Sequence, residues 1–228
     1  MDSLTVIARI HSQFPTKFGI PRQSNLVEGL RSQIVFETEY RTPDALRGLE
    51  EFSHLWLIWG FSESRRESWS ATVRPPRLGG NTRLGVFATR SPYRPNPLGL
   101  SSVRLDRVEL HTARGPVLHV LGADLMDGTP IYDIKPYLPY TDSHPEAKAG
   151  FASLPPEARL EVNLPAPLEG VLGEEERLAL CQVLAQDPRP SYQRDPDRVY
   201  GMEFGGWEVK FTVRGDILTV TALERRRG

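Results

Sequence analysis

LGVFATRSPYRPNPLGLSSVRLD, residues 84–106, sets the reading of the whole chain. It begins as a strand at 84–88, breaks at Thr89, gathers Pro92, Pro95 and Pro97 with Arg90 and Arg94 into a short loop, and resumes as a strand near Leu100. Proline fixes φ and carries no N–H, so three prolines in six residues make a rigid, non-regular connection between two strands. Most loops merely connect. Two arginines on a rigid frame argue for more, because the guanidinium fork suits phosphate or carboxylate and a pre-set backbone loses little entropy on binding.

Outward from this stretch the chain reads mainly as β-structure. HLWLIWGF (54–61) is apolar almost throughout, which suits a central strand or barrel stave buried on both faces. Further strands are expected at 4–10, 32–37, 103–110, 117–121 and 131–134, with a Gly115-Pro116 turn between two of them. Thr42-Pro-Asp starts a helix that Gly48 stops early. About seven strands with few helices between them predict a closed or nearly closed β-barrel. The composition shifts near Tyr140, and 142–173 holds five prolines. Residues 174–185 then have helical spacing with acids in the first turn, and alternation on either side of Gly215-Asp216 predicts a hairpin. The expected fold is therefore a mainly β protein: a barrel domain over residues 1–142, then a linker and a small α+β domain over 143–228.

Composition narrows the function. Of the 228 residues 39% are hydrophobic and 25% charged, an ordinary globular balance. The single Cys181 rules out an internal disulfide and a multi-cysteine zinc site, no apolar run approaches membrane-spanning length, and the N-terminus lacks a leader pattern. A cytoplasmic protein without membrane attachment is expected. Net charge is −1, yet between Glu63 and Arg107 nine arginines face three acids, a local basic face for RNA or phosphate. Neither G-x-G-x-x-G nor G-x-x-x-x-G-K-[ST] occurs, and the five histidines lack ligand spacing.

The second concentrated stretch is GADLMDGTPIYDIKPYLPY, residues 122–140. Asp124, Asp127 and Asp133 with Lys135 read in three ways: a hard-cation cluster, satisfied turn residues, or a small-molecule pocket of mixed polarity, the reading favoured here. Together with TVRPPRLGGN (72–81), GVFATRSPYRPNPLGLS (85–101), DLMDGTPIYDIKPYLPY (124–140) and AQDPRPSY (185–192), the chain resembles the TrmO family, also called TsaA-like or YaeB-like. The resemblance spans nearly the whole chain. It implies a non-Rossmann β-barrel, S-adenosylmethionine as cofactor, and methylation of N6-threonylcarbamoyladenosine beside the anticodon of threonine tRNA. A homodimer with the cofactor near the subunit interface is implied as well. Carried over by motif, the cofactor residues are Pro21, Arg22, Gln23, Ser62, Glu63, Arg90, Leu98 and Asp124, Leu125, Met126 and Asp127. Where the family has His-Gln this chain has Ser62-Glu63, which leaves the backbone as the expected contact there.

The chemistry asks for alignment rather than a metal, because the sulfonium methyl is already activated. The acceptor nitrogen is conjugated to a carbonyl, so a proton acceptor such as Asp133 or a backbone carbonyl is expected, with Lys135 and Tyr137 beside it as the catalytic group. A threonyl carboxylate calls for Arg94, Arg77 or Lys135, phosphates for Arg74 and Arg77, and a splayed base for Tyr93 or Tyr137, with Asn96 in the same substrate loop. Two alternatives stand beside this reading: a non-catalytic RNA-binding barrel, and a metal-dependent phosphoesterase using Asp124, Asp127 and Asp133.

Overall fold

A computed structural model describes residues 4–64, 68–153, 160–189 and 195–226, apart from the side chains of Ser64 and Arg77. In chain order the first half carries β1 (Ala8–His11), β2 (Arg31–Phe36), β3 (His54–Gly60), β4 (Thr72–Val73), β5 (Leu84–Gly85), β6 (Leu98–Glu109), β7 (Val117–Leu121) and β8 (Pro130–Pro136). Six of these close an antiparallel barrel in the order β1-β2-β7-β6-β3-β8, while β4 and β5 form a separate hairpin. The strand expected at 84–88 is correspondingly shorter, and Val86–Ala88 coil into a 3-10 turn. Only Val86 of this piece is buried, so one anchor replaces the alternating face that would have added a stave.

β3 is the central stave, but it alternates instead of being buried on both faces. Leu55, Leu57 and Trp59 point into the core, whereas Trp56 and Ile58 are half-covered on the outside. A single-layer barrel has its core inside, and only part of its outer face is clad. Gly99, opposite Trp59 in the ladder, makes room for that indole: a Cβ on Gly99 would lie 2.2 Å from the ring.

The second half carries α1 (Pro139–Asp142), β9 (Glu161–Asn163), α2 (Ala166–Glu169), α3 (Glu174–Ala185), β10 (Tyr200–Phe204), β11 (Trp207–Arg214) and β12 (Ile217–Arg225). The sheet order is β10-β11-β12-β9, with β9 parallel to β12. α3 and the β11-β12 hairpin match expectation; β9 and β10 are additions. Leu180 and Leu184 of α3 pack on Phe204, Phe211 and Leu218. This core also takes in Phe14, Val27 and Leu30 from the loop after β1. The Phe14 and Phe204 rings meet edge-on at 5.6 Å, and the Gly205 N–H donates to the Gln13 carbonyl at 2.9 Å. By packing, the loop between β1 and β2 thus belongs to the second core as much as to the barrel. Among the described residues no helix is long and apolar enough to cross a membrane.

Candidate active site

Where β7 ends at Leu121, the chain turns through Gly122 (φ 77°) and crosses the end of the barrel. Ala123 and Leu125 drop into the core, leaving Asp124 between them half-buried. Its Oδ1 accepts the Ser101 hydroxyl at 2.6 Å, and that hydroxyl accepts the Trp59 indole N–H at 3.0 Å. Burial pushes the Asp124 carboxyl above its ordinary range, and the Ser101 and backbone hydrogen bonds together with the Arg90 charge pull only partly the other way.

The loop that carries Pro21, Arg22 and Gln23 arrives at the same point. Asn25, in the left-handed region at φ 62°, donates through Nδ2 to both the Ser102 carbonyl and hydroxyl at 3.1 Å. Its backbone N–H reaches the Gly122 carbonyl at 2.9 Å. A Cβ on Gly122 would stand 2.6 Å from the Asn25 side-chain oxygen, so this seam needs glycine. Pro21 is buried, Arg22 and Gln23 are exposed, and Arg90 donates from Nη1 to Gln23 Oε1. Arg90, Gln23 and Asp124 are far apart in sequence, and the barrel end gathers them. Leu98 pairs with Gly60 at the end of β3, and the Phe61 N–H donates to the Pro97 carbonyl at 2.9 Å. Ser62 and Glu63 follow in an exposed 3-10 turn.

Within the Asp124 to Asp127 run the roles separate. Leu125 is core and Met126 is half-buried with its carbonyl accepting the Thr129 N–H. Asp127 accepts the Ser12 N–H at 3.0 Å, lies 3.3 Å from His11 Nδ1, and donates its own N–H to the Phe14 carbonyl. Its carboxylate ties this segment to β1, so the carboxyl that joins Arg90 and the Gln23 loop is that of Asp124.

Asp133, Lys135 and Tyr137 form a second group on the outer face. Asp133 lies opposite Ile58, which in turn lies opposite Leu100. Its Oδ1 accepts the Ile134 N–H at 2.9 Å and its Oδ2 lies 2.9 Å from Lys135 Nζ. Tyr137 packs at 5.6 Å from Trp56 and 6.2 Å from His54. Asp124 meets the inward Ser101, so the barrel wall stands between the two groups. Among the described residues no hydrogen bond or ion pair links them. Sequence reasoning missed Ser101, Trp59 and Asn25 as supports of this site. It also missed Asp142, which accepts both the Trp56 indole N–H and the Leu138 N–H; those bonds hold its carboxyl below the ordinary range. A polar Ser101 on an inward position beside Val103 was the available signal.

In the proline-rich loop, Arg94 is half-buried and donates to the Thr89 carbonyl at 3.2 Å, bracing the loop. Tyr93 is half-buried, its N–H on Ser91 Oγ; Asn96 is exposed and its carbonyl accepts the Leu98 N–H. Arg74 is exposed just after β4. The Arg77 side chain, Arg65, Arg66 and residues 190–192 lie outside the described residues. Asp124, Asp127 and Asp133 engage three different partners, Ser101, His11 and Lys135. Among the described residues no group of three or more His, Cys, Asp and Glu could hold a metal ion.

Comparison with known proteins points one way. Residues 9–143 match the tRNA-methyltransferase O N-terminal domain and residues 157–226 the TrmO C-terminal domain. The chain is 43% identical over 229 residues to a tRNA (adenine(37)-N6)-methyltransferase of Escherichia coli (strain K12), covering 96% of this chain and 97% of that protein. A Pseudomonas aeruginosa protein, provisionally named an S-adenosylmethionine-dependent methyltransferase, is 40% identical over 226 residues, 96% of each chain. A crystal structure of TrmO from Pseudomonas aeruginosa superimposes with a TM-score of 0.77 at 32% identity, covering 98% of both chains.

Proposed function

The chain belongs to the tRNA-methyltransferase O family, and on that premise we propose that it transfers a methyl group from S-adenosylmethionine to the N6 nitrogen of N6-threonylcarbamoyladenosine 37 in threonine tRNA. The observation that carries the reading is the convergence of Gln23, Arg90 and Asp124 at one end of the barrel. Those residues fit the cofactor: the Arg90 guanidinium suits its carboxylate, and the Asp124 carboxyl suits its ammonium or ribose hydroxyls. Bound there, the cofactor supplies an activated methyl on a sulfonium, chemistry that calls for no metal. The chain's own residues then have to orient and exclude water, and well-aligned reactants gain up to about 10⁵ to 10⁸ M in effective molarity.

Asp133 is our candidate for holding the acceptor proton, with Lys135 beside it to receive the threonyl carboxylate and Tyr137 to stack on the base. One chain keeps this group outside the wall that Asp124 faces from within. Leu100 stays 56% exposed next to half-covered Ile58 on that outer face. Both features favour a homodimer with a site at the subunit junction. We assign the protein to the cytoplasm, where its tRNA substrate is.

Mass spectrometry of threonine tRNA carrying the threonylcarbamoyl modification tests the reaction. One added methyl group on the modified nucleoside, dependent on S-adenosylmethionine and insensitive to chelator once the tRNA is folded, is the expected result. No methylation, or a strict metal requirement for transfer, sinks the reading. The arginine face has a test of its own. Arg74→Ala should weaken tRNA binding and lower the salt slope by about one unit, the effect of one lost phosphate contact. Cofactor affinity should hold. An unchanged slope would make Arg74 a solvated surface residue.

A further inference from the structure

Two large aromatic side chains stand in water on the arm that hangs off the barrel. Trp69 is 54% exposed and Phe87 73% exposed. Their ring centroids lie 6.3 Å apart with 31° between the planes, so the two exposed rings stand together as a pair. Isolated exposed aromatics need no explanation, but a paired and rigidly mounted set does.

The mounting is firm. Thr72 pairs with Gly85 and Val73 with Leu84, and the Val86 N–H extends the ladder by donating to the Ala71 carbonyl at 2.9 Å. Val86 is 1% exposed and pins the arm, while the Thr89 hydroxyl closes the turn by donating to the Val86 carbonyl at 2.9 Å. Ser70 Oγ donates to the Thr72 carbonyl, fixing the strand that follows Trp69, and Arg83 is braced on the Thr72 hydroxyl at 3.0 Å. Trp69 and Phe87 thus flank the same short hairpin, held by its backbone and not by each other alone.

The charge around them selects the occupant. From Ser68 to Pro97 the sequence has five arginines (74, 77, 83, 90 and 94) and no aspartate or glutamate. An acid-free cationic arm suits a polyanion, and exposed aromatic rings suit a base; single-stranded nucleic acid offers both. A protein partner would have to bring both acidic groups for the arginines and planar groups for the rings, whereas a single nucleic-acid strand carries the two along one backbone.

We propose that Trp69 and Phe87 form a stacking platform for an unpaired base of the tRNA anticodon loop, a base other than the one methylated. The inference rests on the tRNA reading above. It adds an RNA contact that uses neither Arg90 nor Asp124. Stacking on such a platform is indifferent to base identity, so it anchors the loop without choosing its sequence.

The test uses the whole chain and a labelled, unmodified anticodon stem-loop of threonine tRNA, with affinity read by fluorescence anisotropy in the absence of cofactor. Trp69→Ala and Phe87→Ala should each raise Kd by about tenfold, and Trp69→Phe and Phe87→Tyr should restore it to within about twofold. The salt slope should stay at the wild-type value, because no phosphate contact is lost. Affinity for S-adenosylmethionine and Tm should not move. Wild-type RNA affinity in both alanine variants overturns the platform. So does a reduced salt slope, which would mean that the substitutions act by displacing arginines. A drop to monomer mass in sedimentation accompanying the lost affinity would assign the pair to self-association and overturn it too. These outcomes leave methylation by the wild-type chain intact; a wild-type chain that neither binds the stem-loop nor methylates threonine tRNA carrying the threonylcarbamoyl modification overturns the tRNA reading itself, and the platform with it.

Discussion

Asp124→Asn raises the dissociation constant for S-adenosylmethionine by about 10- to 100-fold, the range for losing a charge-assisted hydrogen bond, while leaving the fold at least as stable as wild type near neutral pH. The two halves of this expectation have one cause. Burial lifts the folded-state carboxyl above its ordinary value of 3.8, so the folded protein holds that proton more tightly than the unfolded chain does. For such an acid the contribution to stability is present in full below the ordinary value and is lost as pH rises through the folded value. Above the folded value the wild type therefore carries a charge that the fold disfavours. Asparagine removes the charge and keeps an oxygen for the Ser101 hydroxyl. Calorimetric titration with the cofactor and thermal melts across the acid-to-neutral range check both parts. Unchanged cofactor affinity with a lower Tm would make Asp124 a structural member of the Trp59–Ser101 chain and nothing more. Asp142 runs the opposite way: bonds from Leu138 and Trp56 lower its carboxyl. Its contribution is present above the ordinary value and is lost as pH falls through the depressed folded one.

Asp133→Asn should cut the single-turnover rate of methylation by about 10² or more, the loss expected for a general base, with cofactor affinity changed by no more than a few-fold. The stability cost should be small. The Asp133–Lys135 pair lies at 2.9 Å but with side chains 44% and 63% exposed, and exposed pairs contribute about 0 to 1 kcal/mol. Asparagine also keeps an acceptor for the Ile134 N–H. Rapid-quench assays at saturating cofactor and tRNA, run beside thermal melts, separate rate from folding. A folded variant that methylates at the wild-type rate would remove Asp133 as proton acceptor, leaving a backbone carbonyl or the substrate itself.

These two carboxylates mark where the sequence stops informing. What it determined by itself lies in features with a short period. The apolar run of β3, the alternation of β11 and β12, the strand at Val117–Leu121 and the helix at Glu174–Ala185 all came from neighbouring residues, because side-chain direction repeats every two or every 3.6 residues. The motif stretches around Arg90 and Asp124 also stood out locally, and with them the family. Other matters were decided only in three dimensions. Six staves rather than about seven close the barrel, since Val86 gives the 84–88 piece a single buried anchor and not a face. Nothing local in the loop after β1 shows that Phe14, Val27 and Leu30 complete the second core. Asp124 and Asp127 stand three positions apart in one turn-rich segment, and nothing local distinguishes them. Asp124 meets Ser101, 23 positions away, which in turn meets Trp59, 42 positions from it; Asp127 meets Ser12, 115 positions away. Whether a carboxylate is desolvated or merely caps a turn depends on which distant groups the closed barrel brings to it, and that information exists only once the chain has folded.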